Sequence, residues 1–230
     1  MKYLITTTLI LTTFIVLSCQ DNKKELSKMQ PKNEQQTNKV QPENKAKEDT
    51  LFKKTNKSYL IKIYNSKYLD TENVLINEHK IILSKKEFNI KYKNIDSTAT
   101  TFWECGSPFE WLDRDWMIRK YGGTFERFDG KITTIYGKWI EFNTNNHIVL
   151  FDMAFAKHNS FRIISHNIVL NKNTTLKEFQ EMFPNSEMEK LENQDEVRFR
   201  FRLDPDSDDA FLFDFKDGKL NYYTLWWLLC

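Results

Sequence analysis

The chain has 230 residues, of which 40% are hydrophobic and 14% aromatic, enough apolar material for a large buried core. Basic residues number 34 and acidic residues 32, which gives a formal net charge of +2. This balance excludes a strongly basic protein, so we expect no nucleic-acid partner. Six glycines and five prolines exclude collagen-like and glycine-rich classes, and three cysteines are too few for a disulfide scaffold or a four-cysteine zinc site.

Residues 1–18 are predicted to form a signal peptide. Met1 and Lys2 give a short basic start, and the apolar stretch at 4–17 is shorter than the roughly 20 residues that span a bilayer. Val16-Leu17-Ser18-Cys19 then resembles the lipobox of bacterial lipoproteins, although leucine is commonest at the first of these positions and a small residue is usual at the second. An ordinary signal peptide with an incidental cysteine, or an uncleaved anchor, is the alternative.

The lipobox resemblance implies that Cys19 becomes an acylated N-terminus after cleavage. Two or three acyl chains, palmitate among them, hold a protein on a bilayer far more firmly than one chain does. We therefore expect an extracytoplasmic protein of the cell envelope that is anchored to a bacterial membrane, in particular the outer membrane.

Residues 19–57 are predicted to be a lipidated cysteine followed by a disordered tether. From residue 20 the segment is rich in Lys, Asn, Gln and Glu, and Phe52 is its one aromatic residue. Such a composition buries too little apolar surface to offset the entropy of ordering the chain. Residues 20–57 carry a net charge of +4, and residues 58–230 carry −3. We favour a solvated spacer over a segment that contacts an anionic surface.

A duplicated pattern runs through the rest of the chain. Residues 79–85 align with residues 166–172 at an offset of 87, and the parallel resumes at the next Lys-Glu-Phe with an offset of 91. Ser84 and Thr175 each stand three residues before a glutamate, which is the capping-box pattern of a helix N-terminus. Apolar residues then recur at helical spacing: Phe88, Tyr92 and Ile95 after the first box, and Leu176, Phe179 and Phe183 after the second. We predict two short helices, the second ended by Pro184.

Antiparallel strands are predicted after each helix. Val197, Phe199 and Phe201 alternate with arginines, which is the pattern of a half-buried strand. Further strands are predicted at 59–64, 74–76, 124–128, 132–136, 139–142, 148–155, 210–215 and 220–229. Residues 111–121 fit neither pattern clearly. The predicted fold class is therefore α+β, with two tandem repeats at 58–160 and 161–230, each a short helix packed on a small antiparallel sheet.

The second helix, the strands after it and the aromatic hairpin at Asp217-Gly218 are similar to the helix-plus-sheet repeat of small outer-membrane assembly lipoproteins and of β-lactamase inhibitor proteins. The tandem arrangement also looks like that of lipoproteins from AT-rich bacteria such as the Bacteroidota. The resemblance covers about residues 74–229 and implies protein–protein contact, with no catalytic residue to carry over. The family helix commonly ends at a Gly-x-Pro step, where this chain has Phe183-Pro184-Asn185.

A calcium loop is one candidate ligand site. Asp204, Asp206 and Asp208 alternate as in such a loop, because a hard cation needs several converging oxygen ligands. Asp209 and Phe215 occupy the positions that require glycine and glutamate. We therefore favour a solvated acidic turn and predict no metal.

An arginine row is the second candidate site. Arg198, Arg200 and Arg202 lie on one face of a predicted strand and could hold a carboxylate or phosphate by paired hydrogen bonds. We favour instead a wet sheet face that is balanced by the acidic residues at 204–209. The chain has no phosphate-binding loop, nucleophile elbow or dinucleotide-binding turn, so no cofactor is predicted.

Cys105 admits more than one interpretation. It lies in the turn-rich segment 103–108, where a thiolate with a histidine nearby could act as the nucleophile of an envelope hydrolase. No known cysteine-enzyme signature surrounds it, and a disulfide with Cys230 or two unpaired thiols are the alternatives. The four histidines show no metal-ligand spacing.

Aromatic residues crowd the last predicted strand, namely Tyr222, Tyr223, Trp226 and Trp227. An exposed face there would form the kind of aromatic patch that anchors protein interfaces. A central strand would instead bury both faces, and we favour that core interpretation, with the two tryptophans on opposite faces.

These features predict a membrane-anchored extracytoplasmic lipoprotein that acts as a non-catalytic protein-binding module, in envelope assembly or as an immunity or inhibitor protein. Its expected partners are membrane lipid, through acylated Cys19, and another protein. A lipoprotein that binds a small ligand or calcium, and an envelope hydrolase that uses Cys105, are the alternatives.

Overall fold

The computed structural model describes residues 61–192 and 195–229, which belong to one compact unit, Asn56–Cys230. The fold is mixed α+β, and its two sheets are antiparallel, so the predicted fold class is confirmed at that level. Four sequence predictions lie outside the described residues: the signal peptide, acylation of Cys19, the tether at 19–57 and the role of Cys230 as a disulfide partner.

The described residues form the following elements. The strands are β1 (Val74–Ile76), β2 (His79–Lys80), β3 (Ile82–Ser84), β4 (Ser97–Phe102), β5 (Lys131–Gly137), β6 (Ile140–Thr144), β7 (Ile148–Phe155), β8 (Phe161–Ile163), β9 (Ile168–Leu170), β10 (Glu187–Lys190), β11 (Glu196–Arg202), β12 (Ala210–Lys216) and β13 (Lys219–Trp226). The α-helices are α1 (Lys85–Lys91), α2 (Phe109–Leu112), α3 (Arg114–Tyr121) and α4 (Leu176–Met182), and Thr71–Asn73 and Phe125–Arg127 are short 3-10 helices.

The main sheet has the strand order β10-β11-β12-β13-β7-β6-β5-β4, and β3 pairs with the start of β7. In each half a helix precedes four strands that pair in chain order, with α1 before β4–β7 and α4 before β10–β13. The first half also has α2, α3 and a 3-10 helix between β4 and β5. The halves meet where β7 and β13 pair antiparallel, with Met153 opposite Thr224. From either edge to the centre, the four strands of each half therefore follow one another in chain order.

The small sheet has the order β2-β1-β8-β9 and consists of two short hairpins. They are joined by β1 and β8, where Leu75 pairs with Arg162, which lies 87 residues further along the chain. On either side, Val74 pairs with Ile163 and Ile76 with Phe161. The central pair of this contact, Leu75 and Arg162, is therefore separated by the same offset of 87 as the two aligned sequence segments.

Both helices next to the predicted capping boxes begin as the sequence predicts. Ser84 caps α1 and Thr175 caps α4, and in each box the capping hydroxyl accepts the backbone N–H of a glutamate while that glutamate accepts the N–H of the cap. Each cap residue also pairs with the first residue of a long strand, Ser84 with Ile148 and Thr175 with Lys219. Helix α4 ends at Met182, before the predicted Pro184 stop.

The buried core is dominated by phenylalanine rings. Phe179 of α4 is fully buried, and its ring centroid lies 4.8 Å from that of Phe199 and 5.0 Å from that of Phe215. Phe88 of α1 packs edge-on against Phe142 at 4.9 Å. Each capped helix therefore presents one aromatic stripe to the same side of the main sheet, as its periodicity predicts.

The predictions were wrong or incomplete at some elements. The predicted strand at 124–128 is instead the 3-10 helix Phe125–Arg127, which follows Gly122 and Gly123 at φ values of +75° and +73°. Two consecutive left-handed residues end α3 and turn the chain, so no strand can continue through them. Residues 61–64, the described part of the predicted strand at 59–64, are not in a strand. Residues 111–121 are mainly helical, and β4 and β10 were not predicted.

The α4 capping box should contribute measurably to stability. We expect Thr175→Ala to lower the free energy of unfolding by about 1 kcal/mol, because it removes the acceptor of the Glu178 amide. Lys177→Ala is the matched control, since the Lys177 side chain on the same helix is 86% exposed. Denaturant unfolding of the two variants checks this, and equal effects would contradict the capping role.

Candidate functional site

One face of the main sheet is left uncovered at its centre. In β13, Tyr223 and Leu225 are fully buried on the core face, whereas Tyr222, Thr224 and Trp226 on the other face are half-buried. The expectation that both faces of this strand are core is therefore wrong. We call the second surface the open face; it includes Tyr136, Glu141, Asp152, Met153, Phe155, Glu189, Arg198, Arg200, Leu212, Asp214, Tyr222, Thr224 and Trp226.

Aromatic rings cross the junction between the two halves on the open face. The ring of Tyr222 on β13 lies 6.1 Å from that of Phe155 on β7, which lies 6.0 Å from that of Trp139. Trp139 is 42% exposed and stacks on His158 at 4.5 Å. The rings are thus positioned by strand pairing and by each other, so they present a preformed apolar surface.

Arg198 is held by a buried carboxylate. Its Nε donates to Asp214 Oδ1 at 2.9 Å across the β11–β12 pair, and its Nη2 lies 2.9 Å from the same oxygen. Asp214 is 4% exposed, and burial raises the pKa of its carboxyl, although the neighbouring guanidinium opposes that shift. This guanidinium is therefore committed to an internal partner.

The other two predicted arginines contact polar or acidic groups of the protein, Arg200 through a hydrogen bond and Arg202 through two longer ion pairs. Arg200 donates to the backbone oxygen of Asp208, and its guanidinium lies 5.0 Å from the ring centroid of Trp226. Arg202 lies 3.9 Å from Glu187 and 3.8 Å from Asp208. Of the three arginines, only Arg202 forms an ion pair with a carboxylate of the 204–209 segment, and Arg198 uses Asp214 instead. Anion binding by the row stays a prediction.

A shallow groove of about 390 Å³ runs along this half of the open face. Its lining combines charged, aromatic and aliphatic side chains: Glu189, Arg198, Arg200, Leu212, Tyr222, Thr224 and Trp226.

The aspartate loop has the structure of a local turn. The Asp206 N–H donates to Asp204 Oδ1 at 2.8 Å, and Asp208 is directed to Arg202. Within the described ranges, no group of three or more His, Cys, Asp and Glu side chains is arranged to hold a metal ion. The calcium candidate therefore gains no support from the described residues.

Cys105 is disulfide-bonded, and its partner lies outside the described residues. A sulfur in a disulfide is not a thiolate, so in this state Cys105 has no nucleophile to offer. The pairing with Cys230 stays a prediction.

A pair of carboxylates on the open face was not foreseen from the sequence. Glu141 on β6 pairs with Met153, whereas Phe142 pairs with Phe151, so Asp152 is the extra residue of a β-bulge in β7. In such a bulge two residues oppose one, which turns Asp152 toward Glu141. No alternation pattern signals a bulge, and this explains why sequence reasoning missed the pair.

Burial raises the pKa of both carboxyl groups, and the Glu141 charge also acts on Asp152. Burial, with a smaller contribution from the Glu141 charge, raises the pKa of Asp152 to about 6, against the opposing effect of a hydrogen bond with Asn143. Burial also raises the pKa of Glu141. Thr134 Oγ1 donates to Asn143 Oδ1 at 2.9 Å and so fixes that amide. Neither carboxylate forms an ion pair with any residue that the structure describes.

The Asp152 carboxylate should make stability depend on pH. Its folded-state pKa lies above its ordinary 3.8, so the ionised form destabilises the fold, and this cost grows as pH rises through the interval from 3.8 to about 6. We expect Asp152→Asn to raise the free energy of unfolding by about 1 to 3 kcal/mol above pH 7 and to change it little below pH 4.

Urea unfolding at several pH values, with Asp96→Asn as the control, measures this effect. Asp96 is exposed and adjoins an edge strand, so its replacement should change little at any pH. An effect of Asp152→Asn that is the same at both ends of the pH range would show that packing, not ionisation, is responsible.

Comparison with known proteins gives no assignment: no family model, no curated protein and no solved structure matches the chain. Among the described residues, no helix has the length and apolar character required to cross a membrane.

Proposed function

We propose that this protein is a membrane-anchored extracytoplasmic lipoprotein whose open face binds another protein without catalysis. The anchor is acylated Cys19, and the sequence at 20–57 is the tether that separates the folded part from the membrane. The observation that supports the binding role is the uncovered centre of the main sheet. There the aromatic row of Tyr222, Phe155 and Trp139 lies beside the groove that contains Arg198 and Arg200.

The composition of the open face supports a protein partner. Protein interfaces are enriched in Tyr, Trp, Phe, Met and Arg, and binding energy concentrates in aromatic and arginine residues. Tyr222, Trp226, Phe155, Met153 and Arg200 supply each of these types on one sheet face. Strand pairing fixes their backbone, and ring contacts between Phe155 and Tyr222 and between Arg200 and Trp226 hold four of the side chains, which lowers the entropy cost of binding.

The charge distribution of the open face indicates the partner's chemistry. Arg198 and Asp214 neutralise each other in one half, whereas the carboxylates of Glu141 and Asp152 in the other half lack a described cation. A lysine or arginine from the partner would supply that missing charge and lower both raised pKa values. The proposed partner therefore presents a basic side chain within an apolar surface.

A two-repeat origin of the fold accompanies this proposal, with repeats at 58–160 and 161–230. It is supported by the matching strand order from both edges, by the two capping boxes and by the centred register of β1 and β8. Fusion of two such units side by side produces a sheet with twice the width of either half. The open face crosses their junction, so neither unit alone would contain it.

The binding role is tested by crosslinking pull-down of the tagged protein from its native envelope. We expect one dominant partner with the unaltered chain, and at least tenfold less of it with Tyr222→Ala or Trp226→Ala, because hot-spot truncations cost about 2 kcal/mol or more. Glu141→Gln should also weaken capture, since it removes half of the carboxylate pair.

Trp111→Ala is the matched control, because Trp111 is 79% exposed on α2 and is not part of the open face. Thermal unfolding of each variant confirms that it is folded. Capture that is insensitive to the open-face variants, or lost equally with Trp111→Ala, would contradict the proposed surface.

The anchor is tested separately. Cys19→Ser should shift the protein from the membrane fraction to the soluble fraction and abolish labelling by a palmitate analogue, because serine cannot carry the lipid that a lipobox cysteine carries. Cys105→Ser is the control and should retain membrane association. Persistence of labelled, membrane-bound protein with Cys19→Ser would contradict lipidation at Cys19.

A further inference from the structure

Strand β4 forms one edge of the main sheet. All six of its residues, Ser97–Phe102, pair with β5, and within the described ranges no strand pairs with its other side. Five of the six residues are exposed. Its outer backbone N–H and C=O groups are therefore available to another strand.

The two edges of the sheet are protected to very different degrees. The opposite edge, β10, is Glu-Met-Glu-Lys, and charges at such positions discourage pairing with a foreign strand. Strand β4 is Ser-Thr-Ala-Thr-Thr-Phe, without a charge or a proline. Its three threonines also favour extended backbone. Because charges protect the β10 edge and no charge protects the β4 edge, β4 is the edge that is suited to pairing with a further strand.

We propose that β4 pairs antiparallel with β4 of a second copy of this chain, around a two-fold axis that passes through Thr100 and is perpendicular to the sheet. Such an axis places residues of the same sheet face opposite each other, so Thr100 meets Thr100, Ala99 meets Thr101 and Thr98 meets Phe102. Every such pair is uncharged, so no like charges oppose the contact.

A second copy is favoured over an unrelated strand because β4 is its own complement. An isologous pair satisfies both unprotected edges at once and leaves no new edge of the same kind. Ala99 is paired with Thr134, which lies on the open-face side of the sheet. The two open faces would therefore lie side by side on the same side of one continuous sheet.

The contact should be weak in dilute solution. One pair of six-residue strands buries less area than a stable interface of standard size, so we expect dissociation in the micromolar range or weaker. Confinement to a membrane surface would raise the effective concentration of the chain and favour the pair.

Charge variants at the axis test this arrangement. Sedimentation velocity of the full chain, purified in detergent, should show a concentration-dependent dimer. Thr100→Lys and Thr100→Glu should each weaken the dimer at least tenfold, and an equimolar mixture of the two should restore it, because opposite charges then meet across the axis. Met188→Lys on β10 is the matched control and should leave the dimer unchanged, since Met188 is 49% exposed on the other edge.

Amide hydrogen exchange locates the contact. Residues 97–102 should gain protection as the dimer forms and lose it with Thr100→Lys, whereas residues 187–190 should not change. A chain that stays monomeric at all concentrations overturns the proposal. A dimer that survives Thr100→Lys, or variants that fail to recombine in the mixture, also overturn it. Open-face variants such as Trp226→Ala should leave this dimer intact, which separates this test from that of partner binding.

Discussion

The pairing of β7 with β13 holds the two halves of the main sheet in one layer. This pairing is short, with Tyr222, Tyr223 and Thr224 of β13 opposite β7. The Tyr223 side chain reinforces it, because its ring centroid lies 5.9 Å from that of Phe151 and 5.2 Å from that of Phe161. The Tyr223 hydroxyl has no hydrogen-bond partner within the described part of the chain, and burial raises its pKa well above the usual range. A buried polar group without a hydrogen-bond partner lowers the stability of a fold by about 1 to 3 kcal/mol. The junction is therefore stabilised by ring packing in spite of its polar atom.

This junction also determines where the exposed chemistry lies. Helices α1 and α4 and the small sheet use the core face, because their buried side chains, among them Phe88, Phe179 and Phe161, pack there. Strand alternation then sends Tyr222 and Phe155 to the opposite face, where no capped helix lies. A sheet with one covered face has a surface whose residues are ordered but accessible. That combination requires both halves, because β7 and β13 each contribute one ring to the row.

Sequence reasoning recovered the features that depend on local chemistry. The capping boxes at Ser84 and Thr175, and the alternation in β11, are fixed by residues within a few positions of each other, so their patterns are legible. The Thr-rich strand β4 and the charged strand β10 lack an apolar alternation because they are edges, and they were missed for that reason. An exposed aromatic face on β13 was considered but not favoured, because a single strand's sequence does not show which of its faces a helix will cover.

The bulge at Asp152 shows how a local irregularity can decide surface chemistry. Without the extra residue, strict alternation would place Asp152 and Met153 on opposite faces, and one of the two would enter the core. The bulge lets both lie opposite Glu141 while Phe151 keeps its place against Phe142. The fold thus retains its aromatic core and gains a second carboxylate on the open face. Burial and the neighbouring Glu141 charge both raise the pKa of Asp152, so this second carboxylate lowers the stability of the fold when it is ionised.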